Sequence, residues 1–226
     1  MSEVNNQKLV IAIDGPSGSG KSSVSKAVAR ELGAAYLDTG AMYRAITFSV
    51  LESGADLDDA AAVAQAVREA QLEISVDPDA ELVVIGGTDV TAAIREPRIS
   101  EKVSAVATNL EARAELVRRQ QQIIADNARI VAEGRDITTV VAPDAHARIL
   151  LTASEEARLR RRGLQLNDTQ SAEQLAAQVL ERDAKDSTVV NFTQAADGVM
   201  TVDSSDLDFE QTIAAVLDAV AAAAKN

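Results

Sequence analysis

Cysteine is missing from all 226 residues. That excludes a disulfide framework, a cysteine-ligated zinc site and thiol redox chemistry. Histidine occurs once, at His146. No histidine cluster can therefore hold a metal, and His146 reads as a solvated loop residue. Aromatic residues are only 2% of a chain that is 46% hydrophobic, so the core has to be Ala, Val, Leu and Ile. No apolar run reaches the ~18 residues of a membrane helix. The segment Met1–Lys8 is short and polar, without the apolar stretch of a signal peptide. The expectation is a soluble, cytoplasmic protein with no membrane partner. Basic residues are scarce: 22 Lys and Arg face 35 Asp and Glu, a net charge of −13. Neutralising nucleic-acid phosphates needs a basic face, so no nucleic-acid partner is expected.

What is present is one dense glycine cluster, Gly15-Pro16-Ser17-Gly18-Ser19-Gly20-Lys21-Ser22. It fits the P-loop pattern of a glycine, four residues, then Gly-Lys-Ser/Thr. Leu9–Ile13 before it reads as a buried parallel strand, and Val24, Ala27, Val28 and Leu32 after it recur at helical spacing. The glycines permit a tight turn and leave no side chain between backbone N–H groups and a phosphate. The following helix points its positive end at the same place. Lys21 is placed to reach the β- and γ-phosphates, and the Ser22 hydroxyl to ligate Mg²⁺. The alternative is a glycine-rich turn that binds nothing.

The rest of the chain alternates strands and helices. Helices are expected at Gly20–Leu32, Ala41–Glu52, Asp56–Glu69, Arg98–Thr108, Leu110–Ala125, Ser171–Ala184 and Phe209–Ala223, and one opens at Ser154. Strands are expected at Arg129–Ala132, Ala147–Leu151 and Gly198–Val202. Ser171 with Gln174 reads as a capping box. From Leu72 the period changes to two, and Leu72–Val76 and Glu81–Ile85 read as a small inserted antiparallel ribbon. Gly163–Thr169 reads as a polar, mobile connection. The implied fold is α/β: a parallel sheet covered by helices on both faces, with ligands at the carboxyl ends of its strands.

Four further constellations carry chemistry. Thr39 and Arg44 lie at and inside a helix N-terminus that follows a strand, placed for a second anion. Tyr43 and Arg44 on that apolar helix are costly unless paired. The alternative is a capped helix with a solvated arginine. Glu133-Gly134-Arg135-Asp136 ends a strand. An acid there can hold Mg²⁺ or its waters, and Arg135 can neutralise a phosphate bidentately; the alternative is a surface turn with a salt bridge. Arg158, Arg161 and Arg162 share a helix face, where like charges repel unless an anion is near. With the polar connection after them they suggest a lid over the transferring phosphates, against a solvated face offset by Glu155 and Glu156. Arg182, Lys185 and Asp186 repeat the spacing, with cations turned inward or with an ordinary Arg182–Asp186 ion pair.

Taken together, Ile13–Lys21, Leu37-Asp38-Thr39-Gly40-Ala41-Met42-Tyr43-Arg44 and Glu133–Asp136 resemble the bacterial cytidylate kinases. Gly86-Gly87-Thr88-Asp89-Val90-Thr91 and Ile94-Arg95 resemble that family's inserted segment. The resemblance runs from about Leu9 to the last helix. It implies a single P-loop kinase domain over 1–226, with a monophosphate-binding insert at about 39–110 and a lid at about 158–188. It implies transfer of the γ-phosphoryl of MgATP to CMP or dCMP, in a monomer. Gly15 to Ser22, with Ser23, would bind ATP, and Ser22 would hold Mg²⁺ together with Glu133 through water. Ser104, Arg113 and Asp136 would read the cytosine, and Arg182 and Asp186 would hold the ribose. Thr39, Tyr43, Arg44 and Arg135 would surround the acceptor phosphate. Lys21, Arg135, Arg158 and Arg162 would be the catalytic cations. The chain departs from the pattern at Val189, where many relatives carry arginine; Lys185 is the substitute at hand.

Other readings stay open on the residues alone. A GTP-binding switch would need a guanine-reading Asn-Lys-x-Asp motif, which does not occur. An ATPase module would hydrolyse ATP without regard to nucleoside monophosphates. Another small P-loop kinase would act on a different monophosphate or metabolite.

Overall fold

The computed structural model describes residues 8–165 and 172–224, without the side chains of 162, 164, 165 and 172–178. The capping box read at Ser171 and Gln174 and the side chain of Arg162 lie outside the described residues.

The chain opens with strand β1 (Leu9–Asp14), the glycine loop and helix α1 (Lys21–Glu31). Strand β2 (Ala35–Asp38) leads into α2 (Thr39–Glu52) and α3 (Ala60–Glu69). Strands β3 (Leu72–Ile74), β4 (Val83–Ile85) and β5 (Thr88–Asp89) form a separate antiparallel sheet in the order β3-β4-β5. A 3₁₀ turn at Ala93–Arg95 precedes α4 (Pro97–Ala107) and α5 (Leu110–Asp126). Strand β6 (Arg129–Gly134), a π-helical turn at Ile137–Val141 and strand β7 (Ala147–Thr152) follow. The chain continues through α6 (Glu155–Gln165), α7 (Ala172–Asp186), β8 (Met200–Asp203) and α8 (Phe209–Ala223).

The main sheet has the order β2-β6-β1-β7-β8, all parallel. Alternation along β1 splits the core in two, because successive side chains leave opposite faces of a strand. Val10 and Ala12 join Leu37, Ile130 and Ala132 under α2 to α5, whereas Ile11 and Ile13 join Val131, Ile149 and Leu151 under α1 and α8. Aliphatic residues fill both layers, as the low aromatic content requires.

Several elements differ from expectation. Asp56 does not start a helix: α3 begins at Ala60, where the Asp59 carboxylate accepts from the N–H groups of Ala61 and Ala62 and ends the preceding turn. Helix α2 starts two residues early because Asp38 caps it. The ribbon has a third strand, β5, turned back by Gly86 and Gly87 at φ 56° and 79°. Gly163 lies inside α6, which runs to Gln165; the rest of the connection expected at Gly163–Thr169 lies outside the described residues. His146 is exposed, but its ring Nδ1 accepts from the Val10 N–H at 3.0 Å. The π-helical turn after Asp136 had no sequence signal. It is held by Asp14, whose carboxylate accepts from Ile137 N, Thr138 N and Thr138 Oγ1 at 2.9, 2.8 and 2.6 Å.

Candidate active site

The register sets Asp38 beside Glu133, and Asp14 beside Gly134. The carboxyl ends of β2, β6 and β1 therefore meet at the glycine loop. They open into a cavity of about 740 Å³.

On the loop side, Gly18 and Gly20 adopt φ 79° and 88°, which side chains rarely tolerate. A Cβ at Gly18 would stand 2.5 Å from the Arg158 carbonyl oxygen, and one at Gly15 would collide with that of Leu151. The loop is thus wedged between the ends of β7 and α6. Gly20 caps α1 with no side chain, so the helix's first N–H groups face the cavity. The Lys21 ammonium donates to Pro16 O at 3.4 Å, and burial lowers its pKa. Ser22 Oγ donates to Glu133 Oε1 at 2.6 Å. Burial raises the Glu133 pKa, the neighbouring Asp38 adds to the rise, and Lys21 opposes it. Residues 17–23, including Ser23, line the cavity, while Gly15 and Pro16 lie behind it.

Across the cavity the cations are held by carboxylates. The Asp38 side chain caps α2 through Ala41 N at 2.8 Å and accepts from Arg44 Nη2 and Arg95 Nη2, each at 3.0 Å. Burial pushes that carboxyl up, but Arg44, Arg95, the Ala41 N–H and Lys21 outweigh it and hold the pKa at about 2. Thr39 Oγ1 donates to Glu133 O at 2.8 Å, bringing α2 against β6. A Cβ at Gly134 would lie 2.5 Å from that hydroxyl, so glycine allows the approach. Tyr43 is buried and lines the cavity, and burial raises its pKa against the pull of Arg113 and Gln120.

Arg113 donates through Nη1 to Ala107 O at 3.0 Å and through Nη2 to Asp136. Burial drives the Asp136 pKa upward against the pull of Arg113. Arg135 stands over the Phe192 ring at 4.4 Å. Its Nη2 donates to Ser17 Oγ at 2.7 Å and Asp183 Oδ1 at 2.8 Å, and its Nη1 donates to Asp186. Arg182 Nε lies 3.7 Å from Asp186 Oδ2. Ser104 is buried outside the cavity lining and donates to Asp186 Oδ1 at 2.8 Å. Arg158 donates to Ser17 O at 2.9 Å and Asp183 Oδ2 at 2.7 Å.

Arg161 lines the same cavity, and its guanidinium donates to Ser204 Oγ, Ser204 O, Leu207 O and Ser19 O, tying α6 to the loop after β8 and to the glycine loop. One expectation is corrected. Lys185 does not turn inward or replace an arginine at Val189. It is exposed and pairs with Glu181 at 2.6 Å, because it sits on the outer side of the helix that turns Arg182 and Asp186 in. Three site residues had no assigned role in the sequence reading: Asp38, Arg95 and Asp183. Asp183 and Asp186 stand three residues apart on α7, one helical turn, and that spacing was the available signal.

A phosphate loop after the central strand of a parallel sheet, facing a cation-lined cavity at the strand ends, is the architecture of a P-loop kinase. The chain belongs to the cytidylate kinase family, whose model matches residues 11–222. It is 49% identical to the cytidylate kinase of Cutibacterium acnes over 96% of this chain and 98% of that protein. It is 50% identical to the cytidylate kinase of Nocardia farcinica over 91% and 90% of the respective chains. Among solved structures, a gluconokinase from Sinorhizobium meliloti superposes with a TM-score of 0.54 at 15% identity, covering 97% of this chain and 95% of that one. That likeness concerns the fold alone.

Proposed function

We propose that the chain transfers the γ-phosphoryl group of MgATP to CMP or dCMP, giving ADP and CDP or dCDP. The observation that carries this reading is one cavity lined both by the glycine loop and by the buried Arg113–Asp136 pair, with Arg44, Arg135 and Arg182 on the same wall. The loop from Gly15 to Ser23 binds the ATP phosphates. Thr39, Tyr43, Arg44 and Arg135 receive the acceptor phosphate. Arg113 and Asp136 read the cytosine; Ser104, expected to join them, is buried off the cavity lining and donates to Asp186, which with Arg182 holds the ribose. Arg158 and Arg162 belong to a lid at about 158–188, and the insert at about 39–110 carries the monophosphate.

The acceptor is a phosphate with a second pKa of ~6, mostly dianionic near neutral pH. It needs no general base, which suits a chain without a catalytic histidine. It needs alignment and neutralisation of two polyanions, and Lys21 with the arginines supplies both. The Ser22 hydroxyl and the Glu133 carboxylate offer the hard oxygen atoms Mg²⁺ prefers. No cluster of three acidic or histidine ligands exists among the described residues. That donor set suits an ion completed by phosphates and water. Bound Mg²⁺ supplies neutralisation of the β- and γ-oxygens. The enzyme acts as a cytoplasmic monomer, where nucleotides are pooled.

ADP release coupled to an indicator, measured with CMP, dCMP, UMP, AMP and GMP, tests the reading. Turnover with CMP and dCMP well above the others is expected. ATP hydrolysis indifferent to all five, or preference for another monophosphate, would sink it.

A further inference from the structure

Every cationic group expected near the transferring phosphoryl must be kept in place before ATP arrives. A buried guanidinium without a counter-charge is costly, so something anionic has to stand there. Asp183, on α7 and 8% exposed, fills that position. Its Oδ1 accepts from the Ser17 N–H at 3.3 Å and from Arg135 Nη2 at 2.8 Å. Its Oδ2 accepts from Arg158 Nη1 at 2.7 Å. The three donors come from three separate elements: the glycine loop, the end of β6, and α6. Each belongs to the group that phosphoryl transfer draws on: a loop N–H and two arginines.

We infer that Asp183 is a positioning residue, an internal counter-anion that holds Ser17 N–H, Arg135 and Arg158 in place and yields them to the ATP phosphates. The inference rests on the reading of the glycine loop as the ATP site. A carboxylate and a phosphoryl group accept from the same donors, and charged donors favour both. They cannot use all three donors together, since two anions at that separation in a poorly solvated site repel strongly. Asp183 is therefore a competitor of the phosphate as well as its placeholder. It preorganises the arginines in the free enzyme, at the expense of anion affinity.

A residue that merely braces the arginines has the opposite signature. Removing a brace weakens anion binding, whereas removing a competitor tightens it. Neutralising Asp183 as Asp183→Asn keeps the size of the side chain and deletes the charge.

The probe is inorganic tripolyphosphate, used as an inhibitor against ATP with the full-length enzyme. Its inhibition constant is expected to fall by about 5-fold or more in Asp183→Asn, because the occupied fraction of the site no longer taxes binding. An unchanged or raised constant overturns the inference. Failure of tripolyphosphate to compete with ATP in either protein overturns the loop assignment, and the inference with it. Should the variant not fold, a crystal structure of the wild type with tripolyphosphate decides. At least two of the three donors should have left Asp183 for the phosphate; all three still on Asp183 overturns the inference.

Discussion

On the loop side of the cavity, the groups proposed to bind phosphate belong to eight consecutive residues, Gly15 to Ser22, and to the first turn of α1. On the facing side the charged residues that line the cavity come from β2, α2, the 3₁₀ turn, α5, the end of β6 and α7. The first side works through backbone. Its glycines occupy positive φ or approach other main-chain atoms so closely that no Cβ fits. The second side works through long side chains, and long cationic side chains need anchors. Asp38 anchors Arg44 and Arg95, Asp136 anchors Arg113, and Asp183 and Asp186 share Arg135. A backbone site is specified where it is written. A side-chain site depends on carboxylates contributed from elsewhere in the chain.

The contrast can be broken most severely at Lys21, the one cationic side chain among loop residues Gly15 to Ser22. Lys21→Ala is expected to lower kcat/KM by ~10³-fold or more. Its one hydrogen bond among the described residues is to the Pro16 carbonyl at 3.4 Å, beside charge interactions with Glu133 and Asp183, so the melting temperature should change far less than the activity. Steady-state kinetics and thermal melting on the same preparation check both halves, and near-normal turnover would refute the site.

The anchored side can be tested by acid. The folded-state pKa of Asp38 is about 2, below the ordinary 3.8, so its ion pairs contribute fully above pH 4 and are lost as pH falls toward 2. The contribution corresponds to about 2 kcal/mol. The difference in unfolding free energy between wild type and Asp38→Asn should be flat from pH 6 to about 4 and shrink below. A difference that stays constant down to pH 2 would mean the two arginines do not hold Asp38.

The smallest effect sharpens the comparison at the base. The Asp136 carboxylate can accept from the cytosine amino group, and Arg113 can donate to the ring acceptors, whereas uracil offers a carbonyl where cytosine has the amine. CMP should exceed UMP in kcat/KM by at least ~10-fold, and Asp136→Asn should narrow that ratio, since an amide donates as well as accepts. If both substrates fall by one common factor, Asp136 serves only to anchor Arg113.

The strand–loop–helix unit was legible because its physics is local. Glycine spacing, an apolar run and a helical repeat all lie within Leu9–Leu32. The main sheet was legible for the same reason, since buried strands show as short apolar runs. The inserted sheet was read in part: β5 is two exposed residues, Thr88 and Asp89, too short and polar for a periodic signal. The arginines near the second phosphate were legible as residue types. Their orientation was not: Arg161 lines the cavity with its guanidinium held by Ser204, Leu207 and Ser19, whereas Lys185 turns outward to Glu181.

The sequence by itself determined where a phosphate can sit on the loop side, because φ angles and missing side chains are properties of consecutive residues. It also determined that the core is aliphatic and layered on a parallel sheet. Only the tertiary structure decided which carboxylate faces which arginine. Asp183 meets Ser17 across 166 residues, and Glu133 meets Ser22 across 111. The second pair forms because β6 lies beside β1 in the sheet, and the first because α7 carries Asp183 to the glycine loop. No spacing within the chain encodes that.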